Sequence, residues 1–129
     1  MFFKYNAVGI TWAVIILVLC GIPGNEIPKL PFLEWMKPDK IVHLFMFGIL
    51  NYLLIKGFIR QDSFLILARL PVLYASIITI LYGVLTEVLQ ATVFIGRTGD
   101  IRDAGADALG ACCGIWIYNV IAKRKNASL

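Results

Sequence analysis

Polar residues are scarce along this chain and fall in clumps between four long apolar runs. The runs are Ala7–Ile22, Ile41–Ile59, Leu70–Ile95 and Ala104–Ala122. Each approaches the ~20 residues that a helix needs to cross ~30 Å of hydrocarbon. The pattern therefore predicts an all-α, polytopic membrane protein, a four-transmembrane-helix bundle. Between the first two runs lies Pro23-Gly24-Asn25-Glu26-Ile27-Pro28-Lys29-Leu30-Pro31. Its prolines cannot continue a helix and its Gly-Asn pair favours a turn. An extended loop is expected there, lying on the membrane through Phe32, Leu33 and Trp35. The other two connections, Arg60–Ser63 and Gly96–Asp100, are short, so neighbouring helices should run antiparallel.

Composition agrees with that reading. Sixty per cent of the 129 residues are apolar and only 16% are charged, a balance suited to lipid rather than to a water-facing surface. No linker, low-complexity tract or internal repeat divides residues 1–129, which read as a single transmembrane domain. The first run reads as a retained anchor helix rather than a cleaved signal. Its basic flank is only Lys4 and no small-x-small site follows. Leu17-Val18-Leu19-Cys20 departs at Leu19 from a lipoprotein signal, which wants a small residue before the cysteine.

Lys and Arg at the helix ends set the orientation. Lys4, Lys56, Arg60, Arg69, Lys123, Arg124 and Lys125 share one side, against Lys29, Lys37, Lys40, Arg97 and Arg102 on the other. The seven-to-five bias predicts that both termini are cytoplasmic. The net charge of +4 then reads as a topology signal with attraction to anionic lipid heads, and nothing asks for nucleic acid.

The polar residues inside the runs need an explanation, because a charged side chain at the bilayer centre costs at least about 2.5–3.5 kcal/mol. Lys40 and His43 open the second run, Glu87 and Gln90 lie toward the outer end of the third, and Asp103 and Asp107 begin the fourth. Spacings of three and four put each pair on one helix face. Glu87 is about 12 Å below the run's end at Ile95, within reach of an outward-facing cavity. Gly110 and Gly114, with Ala106 and Ala111 beside them, form a small-residue face that lets another helix approach closely.

The outer cluster holds Lys40, Arg97 and Arg102 against Asp39, Glu87, Asp100, Asp103 and Asp107. Like charges that close cannot all ionise, so protons or a cation must compensate. Two readings follow. In one, the cavity binds a lipid head group, a peptide-like envelope ligand or a partner protein, with Lys40, Gln90, Arg97 and Asp107 as the binding residues. In the other, the protein is a membrane-embedded hydrolase acting on a lipid-linked substrate. There His43, Glu87 and Asp103, with Asp107, hold a divalent metal or activate water, while Arg97 and Lys40 bind an anionic group. A coupled transporter would require a homo-oligomer, since four helices make a narrow bundle.

Plainer roles compete at each position. His43 can bond a backbone carbonyl at a helix entry, Glu87 can pair with Arg97 or Lys40, and Asp100 can cap a helix. Cys20, Cys112 and Cys113 read as reduced apolar filler, and Trp12, Trp35 and Trp116 as interfacial or packing aromatics. The chain has no nucleophile elbow, phosphate-cradling glycine loop or zincin histidine pair.

Asp39-Lys40-x-x-His43, Glu87-x-x-Gln90, Gly96-Arg97 and Asp103-x-x-x-Asp107-x-x-Gly110-Ala111, in this order on four spans, resemble the VanZ-like family of small bacterial membrane proteins. The resemblance covers nearly the whole chain. The family is named for a teicoplanin-resistance protein. It implies a place in the bacterial cytoplasmic membrane and a link to antibiotic resistance at the cell envelope, without implying a reaction. One departure is visible: the family usually has asparagine where this chain has Asp107.

Overall fold

A computed structural model describes residues 1–23 and 38–127. The connection 24–37, with its expected membrane-lying Phe32, Leu33 and Trp35, and the Asp39 side chain lie outside that description. Every element among the described residues is helical: α1 (Phe2–Gly21), α2 (Pro38–Arg60), α3 (Leu65–Arg69), α4 (Pro71–Thr92) and α5 (Ile101–Ala127). All but the one-turn α3 are long and apolar enough to span a membrane.

Local chemistry explains how the boundaries differ from those expected. Gln61 folds its side-chain amide back on the chain, accepting from the Phe64 N–H and donating to the Phe64 carbonyl, both at 2.8 Å. That clamp closes the turn from which α3 starts. Pro71 occupies the first turn of α4, where its missing N–H costs nothing. α4 ends at Thr92 rather than Ile95, and the chain turns at Gly96, whose φ of 71° is natural only for glycine. α5 begins at Ile101 rather than Ala104 because Asp100 caps it: Arg102 N–H donates to Asp100 Oδ1 at 2.9 Å.

The long helices alternate in direction. α2 and α5 run parallel, with His43 beside Asp107 and Asn51 beside Ala111. α1 and α4 run parallel to each other, antiparallel to the first pair, and are joined by Tyr82 to Ala13 and Gln90 to Cys20. The short connections thus join antiparallel neighbours, as expected. α2 is the central element, packed most extensively on α5 and also touching α1 and α4.

The α2–α5 seam is where the small-residue face is used. A Cβ on Gly110 would strike the Leu44 carbonyl, and one on Gly114 would lie 2.6 Å from the Gly48 carbonyl. The two backbones touch, which lets dispersion act where no hydrophobic driving force exists between lipid-immersed helices. Polar ties lock the same interior. Asn51 Nδ2 donates to the Ala111 carbonyl at 2.6 Å, Thr79 Oγ1 donates to Asn51 Oδ1 at 3.4 Å, and Trp12 Nε1 donates to the Met46 carbonyl at 2.9 Å. Around these sit Ile16, Phe47, Leu50, Ile55 and Phe58, while Val18, Leu81, Leu109 and Trp116 face outward. An apolar exterior over a partly polar interior suits a lipid environment.

Candidate functional site

The parallel alignment of α2 and α5 brings their first turns together at one end of the bundle, and the C-terminal half of α4 arrives there from the other direction. Lys40 and His43 come from α2, Glu87 from α4, and Asp103 and Asp107 from α5. Asp100 joins them from the turn before α5. Six ionisable residues from separate parts of the chain thus form one cluster.

Its contacts are specific. Lys40 Nζ bridges Asp103 Oδ1 at 2.5 Å and Asp100 Oδ2 at 3.2 Å. His43 Nδ1 lies within hydrogen-bond distance of Asp107 Oδ1, at 3.0 Å, and faces Glu87 Oε1 at 3.8 Å. Phe47, one turn along α2, stacks on the imidazole with ring centroids 6.0 Å apart. The other oxygen of Glu87, Oε2, accepts from the Asp100 N–H at 2.8 Å. Asp100 therefore caps α5 with its side chain while its own backbone N–H is held by Glu87. The Arg102 N–H first, and Lys40 second, hold the Asp100 carboxyl below the usual carboxylate range.

Asp107 is fully buried, in a notch made by Gly83. A Cβ there would lie 2.8 Å from Asp107 Oδ2. That oxygen and Glu87 Oε1 are buried carboxylate atoms with no hydrogen-bond donor among the described residues. With every carboxylate ionised and His43 neutral, Lys40, Arg97 and Arg102 leave one negative charge uncompensated among Glu87, Asp100, Asp103 and Asp107. A ring nitrogen of His43 and carboxylate oxygens of Glu87 and Asp103 all lie within 4.8 Å of one another, a set able to hold a metal ion. The donor types, one imidazole and two carboxylates, fit a divalent cation.

A cleft of about 50 Å³, lined by Leu19, Cys20, Val42, His43, Met46 and Arg97, leads to the imidazole from the α1 side. Its volume suits an ion or one or two waters rather than a bulky group. Arg97 Nε donates to the Ile22 carbonyl at 2.9 Å, and Gln90 Nε2 donates to the Cys20 carbonyl at 3.2 Å. Both tie the end of α1 to this side of the bundle.

The sequence-predicted residues thus divide. His43, Glu87, Asp103, Asp107 and Lys40 converge; Arg97 borders the cleft; Gln90 turns its amide toward α1. His43 bonds a carboxylate rather than a backbone carbonyl. Glu87 meets His43 while Lys40 meets the aspartates. Asp100 is the helix cap it was expected to be. Sequence reasoning missed Gly83, Asn51 and Thr79. Gly83 and Thr79 lie four and eight residues before Glu87, so the helical face of that carboxylate was the available signal. Asn51, eight residues after His43, gave the same signal on α2.

No curated protein and no solved structure matches this sequence. A family model described as VanZ/LLP1 does, over residues 3–122, a range that includes the four spanning helices up to the last turns of α5 and every residue of the cluster. A multi-pass membrane protein by its helices, the chain belongs to the VanZ/LLP1 family.

Proposed function

We propose that the protein acts at the bacterial cell envelope, in keeping with the teicoplanin-resistance link of its family, by binding the cationic part of an envelope ligand at the polar end of the bundle. The Lys/Arg asymmetry of the sequence supports an outward position for that end, with both termini cytoplasmic. The observation that carries the reading is the pair of buried carboxylate oxygens, Glu87 Oε1 and Asp107 Oδ2, that have no donor among the described residues. A buried acceptor left without a donor costs about 1–3 kcal/mol, more when charged. Lys40 is already committed to Asp100 and Asp103, so these oxygens suit a cation rather than a phosphate. The terminal ammonium of a lipid head group or of a peptide-like ligand has the right charge, and a narrow tip suits the cleft beside His43. Binding of this kind can alter drug access to the surface without turnover.

A second reading has its own observation, the convergence of His43, Glu87 and Asp103 within 4.8 Å. In it these residues would hold a divalent metal, with Asp107, 3.0 Å from the imidazole, keeping the ring in place. The metal would lower the pKa of a bound water and make the protein a hydrolase of a lipid-linked envelope substrate.

The experiment is resistance of cells to lipoglycopeptide drugs, measured alongside thermal stability of each detergent-extracted variant. His43→Ala, Glu87→Gln and Asp103→Asn should each abolish the phenotype while a folded protein is retained. Asp107→Asn should weaken it least, because asparagine Oδ1 keeps an acceptor beside His43 while Glu87 keeps its charge. Full resistance in all three variants would make the cluster purely structural. Metal analysis of the purified protein separates the readings: a stoichiometric divalent ion lost in Glu87→Gln supports the second, and a metal-free protein with intact phenotype supports the first.

A further inference from the structure

The seam between α2 and α5 changes character along its length. Beside the cluster, Gly48, Gly110 and Gly114 bring the backbones into contact. Further along both helices the facing residues become Tyr52, Lys56 and Arg60 on α2 and Tyr118, Ile121 and Ala122 on α5, and the helices part around a groove of about 410 Å³. The positions recur every three or four residues, so one face of each helix lines it. Two cations line the groove and, among the described residues, no acid does. Among the described residues neither Lys56 nor Arg60 has a carboxylate within ion-pair distance. Lys56 Nζ instead lies 5.3 Å from the centre of the Tyr52 ring. Ile59 and Ile121 supply an apolar wall.

We infer that this groove is a binding site for an anionic phospholipid, with Lys56 and Arg60 receiving the phosphate and the Tyr52–Tyr118 and Ile59–Ile121 walls flanking the glycerol and upper acyl chains. Three features of the groove converge on a lipid. The site lies between membrane-spanning helices near their ends, the level of head groups. Its charge is of one sign, complementary to a phosphodiester. Amphipathic tyrosines mark the depth at which hydrocarbon meets head group. Basic pockets between spanning helices hold anionic heads on the same principles. The groove lies at the far end of the seam from the acidic cluster and does not depend on any role assigned there.

The test is native mass spectrometry of the full-length protein released from micelles containing equal amounts of phosphatidylglycerol and phosphatidylcholine. Wild type should retain one phosphatidylglycerol in clear preference. Lys56→Gln with Arg60→Gln should lower that retention about 25-fold, about fivefold for each basic side chain near the head group. Lys4→Gln, a cation away from the groove, should leave it unchanged. Ala122→Trp, which fills the groove without touching charge, should also expel the lipid; its melting temperature in phosphatidylcholine alone checks that the bundle is intact. Equal retention of the two lipids by wild type, undiminished retention in the double variant, or an equal loss in Lys4→Gln would each overturn the inference.

Discussion

The two ends of the α2–α5 seam solve the same problem in opposite ways. At one end short carboxylates are enclosed and tied: Asp103 to Lys40, Asp107 to His43, Glu87 to the Asp100 N–H. At the other, long basic side chains line an open groove with no carboxylate against them among the described residues. The difference follows from side-chain length. A lysine or arginine can lay its apolar stem along the protein and carry its charge to the interface. An aspartate a turn inside a helix has no such reach and must find partners where it stands. Ionisable residues held in place by neighbours are structural commitments, whereas exposed ones are available to lipid.

That contrast breaks most visibly at Asp103. Asp103→Ala would leave Lys40, whose side chain is only 27% exposed, with Asp100 as its remaining partner. The expected loss is about 3 kcal/mol, the low end for breaking a buried pair because Lys40 retains some water. Lys56→Gln at the open end, half-buried but in no ion pair among the described residues, should cost less, about 1 kcal/mol or below. Unfolding of detergent-solubilised variants measures both. A Lys40→Gln, Asp103→Ala double variant that is destabilised by the sum of the single effects would show that the pair is not coupled.

The middle of the seam sharpens the comparison through two glycines on one helix. Gly110→Ala must push α2 away at the Leu44 carbonyl and should cost about 1–3 kcal/mol by overpacking. Gly105 has open space around its would-be Cβ, and Gly105→Ala should gain about 0.5–1 kcal/mol from helix propensity alone. The same assay reads both, and equal effects would mean that the tight approach does not hold the seam.

Asn51 joins the seam to α4 through Ala111 and Thr79. Its replacement by leucine, of similar volume, should cost about 0.6–1.7 kcal/mol, the range measured for hydrogen bonds between membrane helices. Thr79→Val should cost less, since the Thr79 bond is the longer of the two. A gain in stability for Asn51→Leu would show that this polar tie serves something other than folding.

How much of this was legible in sequence depended on the kind of signal. The four spans came from composition and length, because lipid solvation acts on every residue of a run. The cluster came from charges too costly to leave unexplained at Lys40, Glu87, Asp103 and Asp107. Neutral partners left no such mark: Gly83, which makes the notch for Asp107, and Asn51 and Thr79 are unremarkable in an apolar helix until the neighbouring helix is placed. α3 was invisible for a similar reason, since it rests on Gln61 folding back onto Phe64. The groove at Lys56 and Arg60 was legible only as topology signal. That both residues face Tyr118 is a property of parallel helices that part, and no local pattern encodes it.

The smallest expected effect concerns Asp100, at the rim of the tied end. Its folded-state carboxyl titrates below the usual carboxylate range, chiefly because the Arg102 N–H donates to it and then because Lys40 is near. A depressed folded value means that the ionised form is the one the fold favours. Its contribution is therefore present above the unfolded value of about 3.9 and is lost as pH falls through the folded one. Asp100→Asn keeps an oxygen for the cap but does not titrate. Thermal unfolding followed from pH 6 downward should show wild type losing slightly more stability than this variant below about pH 4, and the two curves running parallel above it. Every other acid is present in both proteins, so the difference between the curves isolates Asp100. Parallel curves through the whole acid range would mean that the carboxylate charge at the start of α5 adds nothing beyond the hydrogen bond it accepts.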